Sequence, residues 1–252
     1  MTQLLLKEYL KQKRIKLEGN IYHKTQVNLA YNSNRIEGSR LSEDQTRQIF
    51  ETRTVSGDVR VDDINETENH FRAFDYLLET AQQDLSVELV KELHRVLKSN
   101  TTQAASDPIY TPGIFKTAPN EVGAIRTSTP LAVAKDMDDL LASYADSSHD
   151  FADVIDFHYR FESIHPFQDG NGRVGRLVMF RECLVNDIVP FIVSDNEKIF
   201  YLRGLANYRE EKGWLLDTCA SFQDRFIKDF LYLTPDIAAE IEQNQGISTF
   251  RS

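Results

Sequence analysis

The chain has 252 residues, with 39 acidic side chains against 29 basic ones and a formal charge of −10. At roughly 100–200 residues per domain this is one domain or two close-packed ones, long enough to bury a core without covalent staples. The acidic balance argues against a protein held to nucleic acid or anionic lipid by its overall field, and 11 glycines with 7 prolines are too few for a turn-rich β-sandwich.

From the N-terminus, MTQLLLKEYLKQKR carries only a three-leucine apolar run. That is too short for a signal peptide, and no stretch approaches the roughly 18 apolar residues of a membrane span. A cytoplasmic protein with no membrane partner is expected. Ser42 with Gln45 forms a capping-box pattern before Ile49-Phe50. Ile64, Phe71, Phe74 and Leu78 make a helical stripe, as do Leu85, Leu89, Val90, Leu93, Val96 and Leu97. From Asp107 to Pro130 the period disappears, and prolines, glycines and β-branched residues mark a functional loop or hairpin. Helical period returns at Val133, Met137, Leu140, Leu141 and Tyr144, and again at Val154, Ile155, His158 and Glu162. Leu177, Phe180 and Leu184 mark a helix stopped near Asn186-Asp187 and Pro190. Leu215, Cys219, Phe222, Phe226 and Phe230 mark a long one ending before Thr234-Pro235. Cys183 and Cys219 lie in apolar runs without metal spacing and read as buried thiols of a reducing compartment.

The chemistry concentrates in His165-Pro166-Phe167-Gln168-Asp169-Gly170-Asn171-Gly172-Arg173-Val174-Gly175-Arg176. Pro166 disfavours helix at His165, so a helix ends there. The Asp-Gly-Asn-Gly turn lets backbone approach a ligand, and a helix resumes around Arg173. Free N–H groups at a helix start, with Arg173 and Arg176 three apart on one face, match a polyphosphate. Asp169 is a hard oxygen ligand suited to Mg2+, and His165 is placed to take a proton from an attacking hydroxyl. Together these describe nucleotidyl or phosphoryl transfer. Weighed against this, a glycine-rich turn alone is usually just a turn, and arginines at i, i+3 are usually a solvated face. The segment does not fit G-x-x-x-x-G-K-[ST], and H-E-x-x-H spacing is absent. His158 reads as a packing residue or a hydrogen-bonded support.

HPFQDGNGRVGR resembles the signature of Fic-domain proteins, H-P-F-x-[DE]-G-N-G-R-x-x-R, at every fixed position. The resemblance implies a mainly α fold, a helical bundle with a β-hairpin flap over the active site. It implies transfer of AMP from Mg-ATP to a Ser, Thr or Tyr hydroxyl of a protein, with the chain itself among the candidate targets. His165 would be the catalytic base and Phe167 a core anchor. Asp169 would hold Mg2+, and Gly170, Asn171 and Gly172 would donate to the α- and β-phosphates. Arg173 would hold phosphate, Arg176 the γ-phosphate, and Val174 and Gly175 would belong to the same nucleotide-binding stretch. The intact G-N-G-R favours AMP transfer over the phosphorylation of kinase-like relatives.

Gly113-Ile114-Phe115-Lys116, followed by Asn120, Glu121, Val122 and Gly123, is similar to the family's flap, about residues 113–125, where a target peptide adds as a strand. Ile199, Phe200 and Asn207 fall where relatives contact adenine and ribose, although an isoleucine replaces the first aromatic. Ser33-Asn34-Arg35-Ile36-Glu37-Gly38 fits [ST]-x-x-x-E-[GN] and resembles the family's inhibitory motif. Alone it reads as a helix end with Gly38 past the cap. Beside the signature it implies that Glu37 pairs with Arg176 and occupies the guanidinium needed for ATP, with Ser33 fixing the helix. The expected division is residues 1–80, an N-terminal helical region with the inhibitory helix, and 81–252, the core and C-terminal helices. Removal of AMP by the same site, another nucleotide donor, and a non-catalytic nucleotide-binding partner stand as alternatives. A homodimer is compatible with the resemblance, no nucleic-acid partner is expected, and the tail from Asp236 to Ser252 is too short for a DNA-binding module.

Overall fold

In the computed structural model, which describes residues 3–15, 17–122 and 125–245, the apolar stripes become helices. They are α1 (Leu4–Ile15), α2 (Ile21–Ile36), α3 (Glu43–Thr52), α4 (Val61–Glu79), α5 (Val87–Lys98) and α6 (Thr102–Ser106), then α7 (Val133–Ala145), α8 (Phe151–Ile164), α9 (Asn171–Val185), α10 (Lys198–Asn207), α11 (Lys212–Phe230) and α12 (Pro235–Gln245). The capping box at Ser42 is formed in both directions: Gln45 N–H donates to Ser42 Oγ at 3.1 Å, and Ser42 N–H to Gln45 Oε1 at 2.9 Å. A second box, Asp150 with Asp153, starts α8. The N-terminal leucines belong to an amphipathic helix rather than an isolated run, for Leu5, Leu6 and Tyr9 are buried together. Helix α10 gave no usable stripe because it buries just Tyr201 and Gly204.

Helix α9 is the axis of the molecule. Every residue from Asn171 to Leu184 is buried, because α1, α2, α4, α5 and α8 pack around it. A helix covered on all sides loses the one-sided pattern of a surface helix. One apolar cluster runs from Leu5 on α1 to Ala238 on α12, so the helices before and after residue 80 share it. A smaller cluster of Ala30, Leu41, Ile49 and Phe71 joins α2, α3 and α4. Cys183 and Cys219 are free and buried, and burial raises both thiols above their ordinary range.

The segment from Asp107 to Pro130 differs from expectation. It opens with a 3-10 turn at Pro108–Tyr110, capped by Asp107. In place of a developed β-hairpin, two-residue strands β1 (Glu121–Val122) and β2 (Ile125–Arg126) pair antiparallel, Glu121 opposite Arg126 and Val122 opposite Ile125. The ladder stops where side chains take over the backbone: Thr127 Oγ1 donates to Asn120 O at 2.8 Å. Pro119 and Pro130 have no N–H to extend it. Among the described residues, no helix is long and apolar enough to cross a membrane.

Candidate functional site

The signature lies between α8 and α9. His165 ends α8 in the left-handed region, φ +52°, with its N–H on Phe161 O at 2.9 Å. Asn171 then closes the loop on itself. Its Oδ1 accepts from Phe167 N–H at 2.8 Å, and its Nδ2 donates to Phe167 O at 2.9 Å. Phe167 is fully buried, stacked on the His94 ring with centroids 3.8 Å apart. Gly170, at φ +81°, supplies the left-handed residue before α9, a conformation that penalises any side chain. No side chain caps α9 and no acidic residue sits in its first turn. Its N-terminal N–H groups and the positive end of its dipole thus meet no cap or acidic side chain from the helix itself.

Arg176 is held by α2. Its Nε donates to Ser33 Oγ at 3.0 Å, and its Nη2 donates to Ser33 O at 3.0 Å and Glu37 Oε1 at 2.7 Å. Glu37 caps the C-terminal end of α2, and Gly38 follows at φ +96°. Burial works against the Glu37 charge, but Arg176 and then Arg173 outweigh it and hold the carboxyl below its ordinary range. Gly172 makes the approach possible, because a Cβ there would collide with Glu37 Oε1. Arg173 pairs with Glu66 of α4, Nη1 to Oε2 at 2.7 Å, and its Nη2 lies 3.7 Å from Asp169 Oδ2.

Asp169 faces a built-in cation: Lys98 Nζ donates to its Oδ2 at 2.6 Å and to Glu66 Oε1 at 2.8 Å. Burial opposes ionisation of Asp169, yet Lys98 and Arg173 lower its pKa to about 2. Among the described residues no three His, Cys, Asp or Glu side chains gather as a metal cage. A single ionised carboxylate is nevertheless the protein share of many Mg2+ sites completed by phosphate oxygens and water, and this one already accommodates positive charge.

His165 is mostly buried, and its Nδ1 has no hydrogen-bond partner; Glu162 Oε2 lies 4.0 Å from it. The Nε2 edge is therefore the accessible one. Burial, reinforced by Lys116, lowers its pKa to about 4, so the ring is neutral at pH 7 and able to accept a proton. Burial pushes Glu162 the other way, to about 7, with Arg176 opposing.

The stem of the β1–β2 pair is tied to the loop. Lys116 N–H donates to Pro166 O at 2.8 Å, and Asn120 Nδ2 to Phe167 O at 3.0 Å. Lys116 Nζ donates to Asn120 Oδ1 and Thr127 Oγ1, both at 2.7 Å, and to Ile164 O at 3.1 Å. Gly113 N–H donates to Nδ1 of His94 on α5 at 2.8 Å, which leaves Nε2–H of that ring to donate to Asp169 O at 3.0 Å.

The structure thus brings Ser33, Glu37, His165, Asp169, Gly170, Asn171, Gly172, Arg173, Arg176 and Asn120 together. Val174 points into the apolar core, and Gly175 lies against Glu162 and His158 on α8. Glu121 is exposed on β1, Val122 contributes backbone pairing there, and Gly123 lies outside the described residues. Ile199 and Phe200 are exposed at the start of α10. Asn207 donates to Arg203 O, and among the described residues no hydrogen bond or ion pair joins these three to the signature. His158 is a hydrogen-bonded support, its Nε2 2.6 Å from Tyr201 Oη. Sequence reasoning missed Glu66, His94 and Lys98, and named Lys116 only as part of the flap motif, not for its contacts to the signature loop. The available signal was local: His94 and Lys98 lie one turn apart, next to the apolar stripe of α5.

Residues 84–183 match the Fic/DOC family. Protein adenylyltransferase Fic of Drosophila willistoni is 26% identical over 220 residues, 84% of this chain and 43% of that protein. Protein adenylyltransferase fic-1 of Caenorhabditis elegans is 28% identical over 183 residues, 69% of this chain and 35% of that protein. The chain therefore spans less than half the length of these curated relatives. Among solved structures, a Fic domain containing signaling protein from Bacteroides thetaiotaomicron superposes with a TM-score of 0.70 at 21% identity, covering 98% of this chain and 99% of that one. Fic-1 (residues 134–508) of C. elegans gives 0.69 at 22%, covering 95% of this chain and 70% of that one. The likeness to these structures is one of fold.

Proposed function

We propose, for a chain that carries a Fic/DOC domain over residues 84–183, that it is a protein adenylyltransferase held inactive by its own Glu37. It moves AMP from ATP to a Ser, Thr or Tyr hydroxyl of a protein. The observation that carries this reading is the Glu37–Arg176 pair at 2.7 Å, set at an uncapped helix start beside a neutral histidine.

His165 Nε2 takes the proton of the attacking hydroxyl. The oxygen bonds to the α-phosphorus as the bond to pyrophosphate breaks. The N–H groups of Gly170, Asn171 and Gly172, with Arg173, receive the α- and β-phosphates, and Arg176 receives the γ-phosphate. Asp169 would hold Mg2+, which when bound neutralises phosphate charge. While Glu37 accepts from Arg176, the γ-phosphate lacks its guanidinium and ATP settles with the α-phosphate out of line for attack. Asn120, Glu121 and Val122 form the docking edge for a target peptide, which adds to β1–β2 by backbone pairing. Ile199, Phe200 and Asn207 face the nucleoside. In this division residues 1–80 supply the switch and 81–252 the catalytic unit.

The test is incorporation of labelled AMP from ATP and Mg2+, with intact mass as readout. Glu37→Gly raises incorporation at least tenfold over wild type (roughly the loss of one buried charged hydrogen bond). His165→Ala abolishes it in either background. Equal incorporation by wild type and Glu37→Gly at saturating ATP removes the autoinhibition, and an active His165→Ala removes the base.

A further inference from the structure

Lys98 is the charge at this site with no assigned task. Its side chain is 2% exposed at the last residue of α5, with the ammonium 2.6 Å from Asp169 Oδ2 and 2.8 Å from Glu66 Oε1. Glu66 in turn reaches Arg173 at 2.7 Å. A lysine is almost never this buried unless it is paired, and here two carboxylates pair it at once. Asp169, Glu66, Lys98 and Arg173 form a neutral quartet whose charges satisfy one another.

The oxygen that Lys98 occupies belongs to the carboxylate read above as the metal ligand. A divalent ion coordinates oxygen at about 2.1 Å. An ammonium at 2.6 Å on the same carboxylate places two cations in direct repulsion. The lysine has a second anion already in contact, so it can release Asp169 without becoming an unpaired buried charge. We propose that Lys98 stands in for the divalent cation at Asp169 in the nucleotide-free chain and falls back on Glu66 when the ion arrives. Lys98 thereby sets how much metal the site demands. The proposal rests on the reading of Asp169 as metal ligand. A lysine that merely propped Asp169 in place would act in the opposite sense, its removal weakening the metal.

Mn2+ binding to the nucleotide-free full chain, followed by electron paramagnetic resonance, separates the two. Lys98→Met binds Mn2+ at least about tenfold tighter than wild type, as removal of one neighbouring positive charge requires. Lys98→Arg binds as wild type does, and adding Asp169→Asn to Lys98→Met erases the gain. Lys98→Gln keeps a donor for Asp169 without the charge, and serves where the methionine variant fails to fold. Unchanged or weaker Mn2+ binding in the folded variants overturns the proposal, as does a gain that survives Asp169→Asn. AMP transfer by Glu37→Gly with unmoved Mn2+ affinity defeats the lysine proposal alone. Absence of transfer from that variant defeats the enzymatic reading and leaves the Mn2+ comparison intact.

Discussion

The signature is gripped from two sides, and the grips differ in kind. On the α2 side, Ser33 and Glu37 hold it through a single side chain, that of Arg176. On the side of α5 and the β1–β2 stem, the contacts fall on the loop backbone: Ile164 O, Pro166 O, Phe167 O and Asp169 O all accept from His94, Lys116 or Asn120. A contact with one guanidinium can be exchanged for a phosphate without moving the chain. Backbone contacts cannot be exchanged without dismantling the loop. The first arrangement suits a switch, the second a scaffold.

The largest effect comes from breaking the scaffold at Lys116. Its buried ammonium serves Asn120 Oδ1, Thr127 Oγ1 and Ile164 O together. Lys116→Met leaves these acceptors short of a donor inside the protein, at a cost of about 2–3 kcal/mol. A drop of that size in the unfolding free energy from urea titration is expected, with transfer falling even in a Glu37→Gly background. A stem that melts as wild type does would show that the scaffold does not depend on this lysine.

Acid separates the buried histidines, His94 of the scaffold among them, from the Glu37 switch without mutation. Burial depresses His70, His94 and His158 to about 3, each from an ordinary value of 6.5. Between those values the unfolded chain binds protons that the folded chain refuses. Stability therefore falls as pH drops below about 6.5, by roughly 1 kcal/mol per histidine per pH unit. The Glu37 carboxyl shifts below its ordinary 4.5, so the stability it contributes is present above 4.5 and lost only as pH falls further. Unfolding midpoints measured from pH 8 to pH 5 should decline through the histidine window while Glu37 stays charged. A flat profile across that range would contradict the buried, neutral histidines.

The same distinction explains what was legible in the sequence. The loop could be read because its conformation is set locally. Pro166 stops a helix, Gly170 permits the left-handed residue, and Asn171 closes a ring on Phe167 four residues away. Glu37 could be read because it belongs to a short motif. Glu66 and Lys98 matter through partners 32 to 107 residues away in sequence, and Lys116 through Ile164, 48 residues away, as well as through Asn120 and Thr127 nearby. For Lys98, the Glu66 contact spans 32 residues and the Asp169 contact 71. No periodicity signals a pairing of that kind. The expected hairpin shrank for a related reason: the β-like composition was plain, but the capture of Asn120 O by a threonine hydroxyl was not.

The smallest expected effect lies within the switch. Ser33 meets Arg176 twice, through Oγ and through its carbonyl, each at 3.0 Å. Ser33→Ala removes only the hydroxyl, leaving the carbonyl and Glu37 in place. A hydrogen bond to a charged group is worth about 1.5–3 kcal/mol. The retained carbonyl and Glu37 contacts hold the loss of one neutral acceptor to the low end or below, roughly tenfold or less. AMP incorporation by Ser33→Ala should therefore rise severalfold, clearly less than with Glu37→Gly, and the double variant should add little to Glu37→Gly alone. A rise equal to that of Glu37→Gly would move the switch from the carboxylate to the serine. A fall would mean that Ser33 holds Arg176 ready for phosphate, and α2 would then belong with the scaffold.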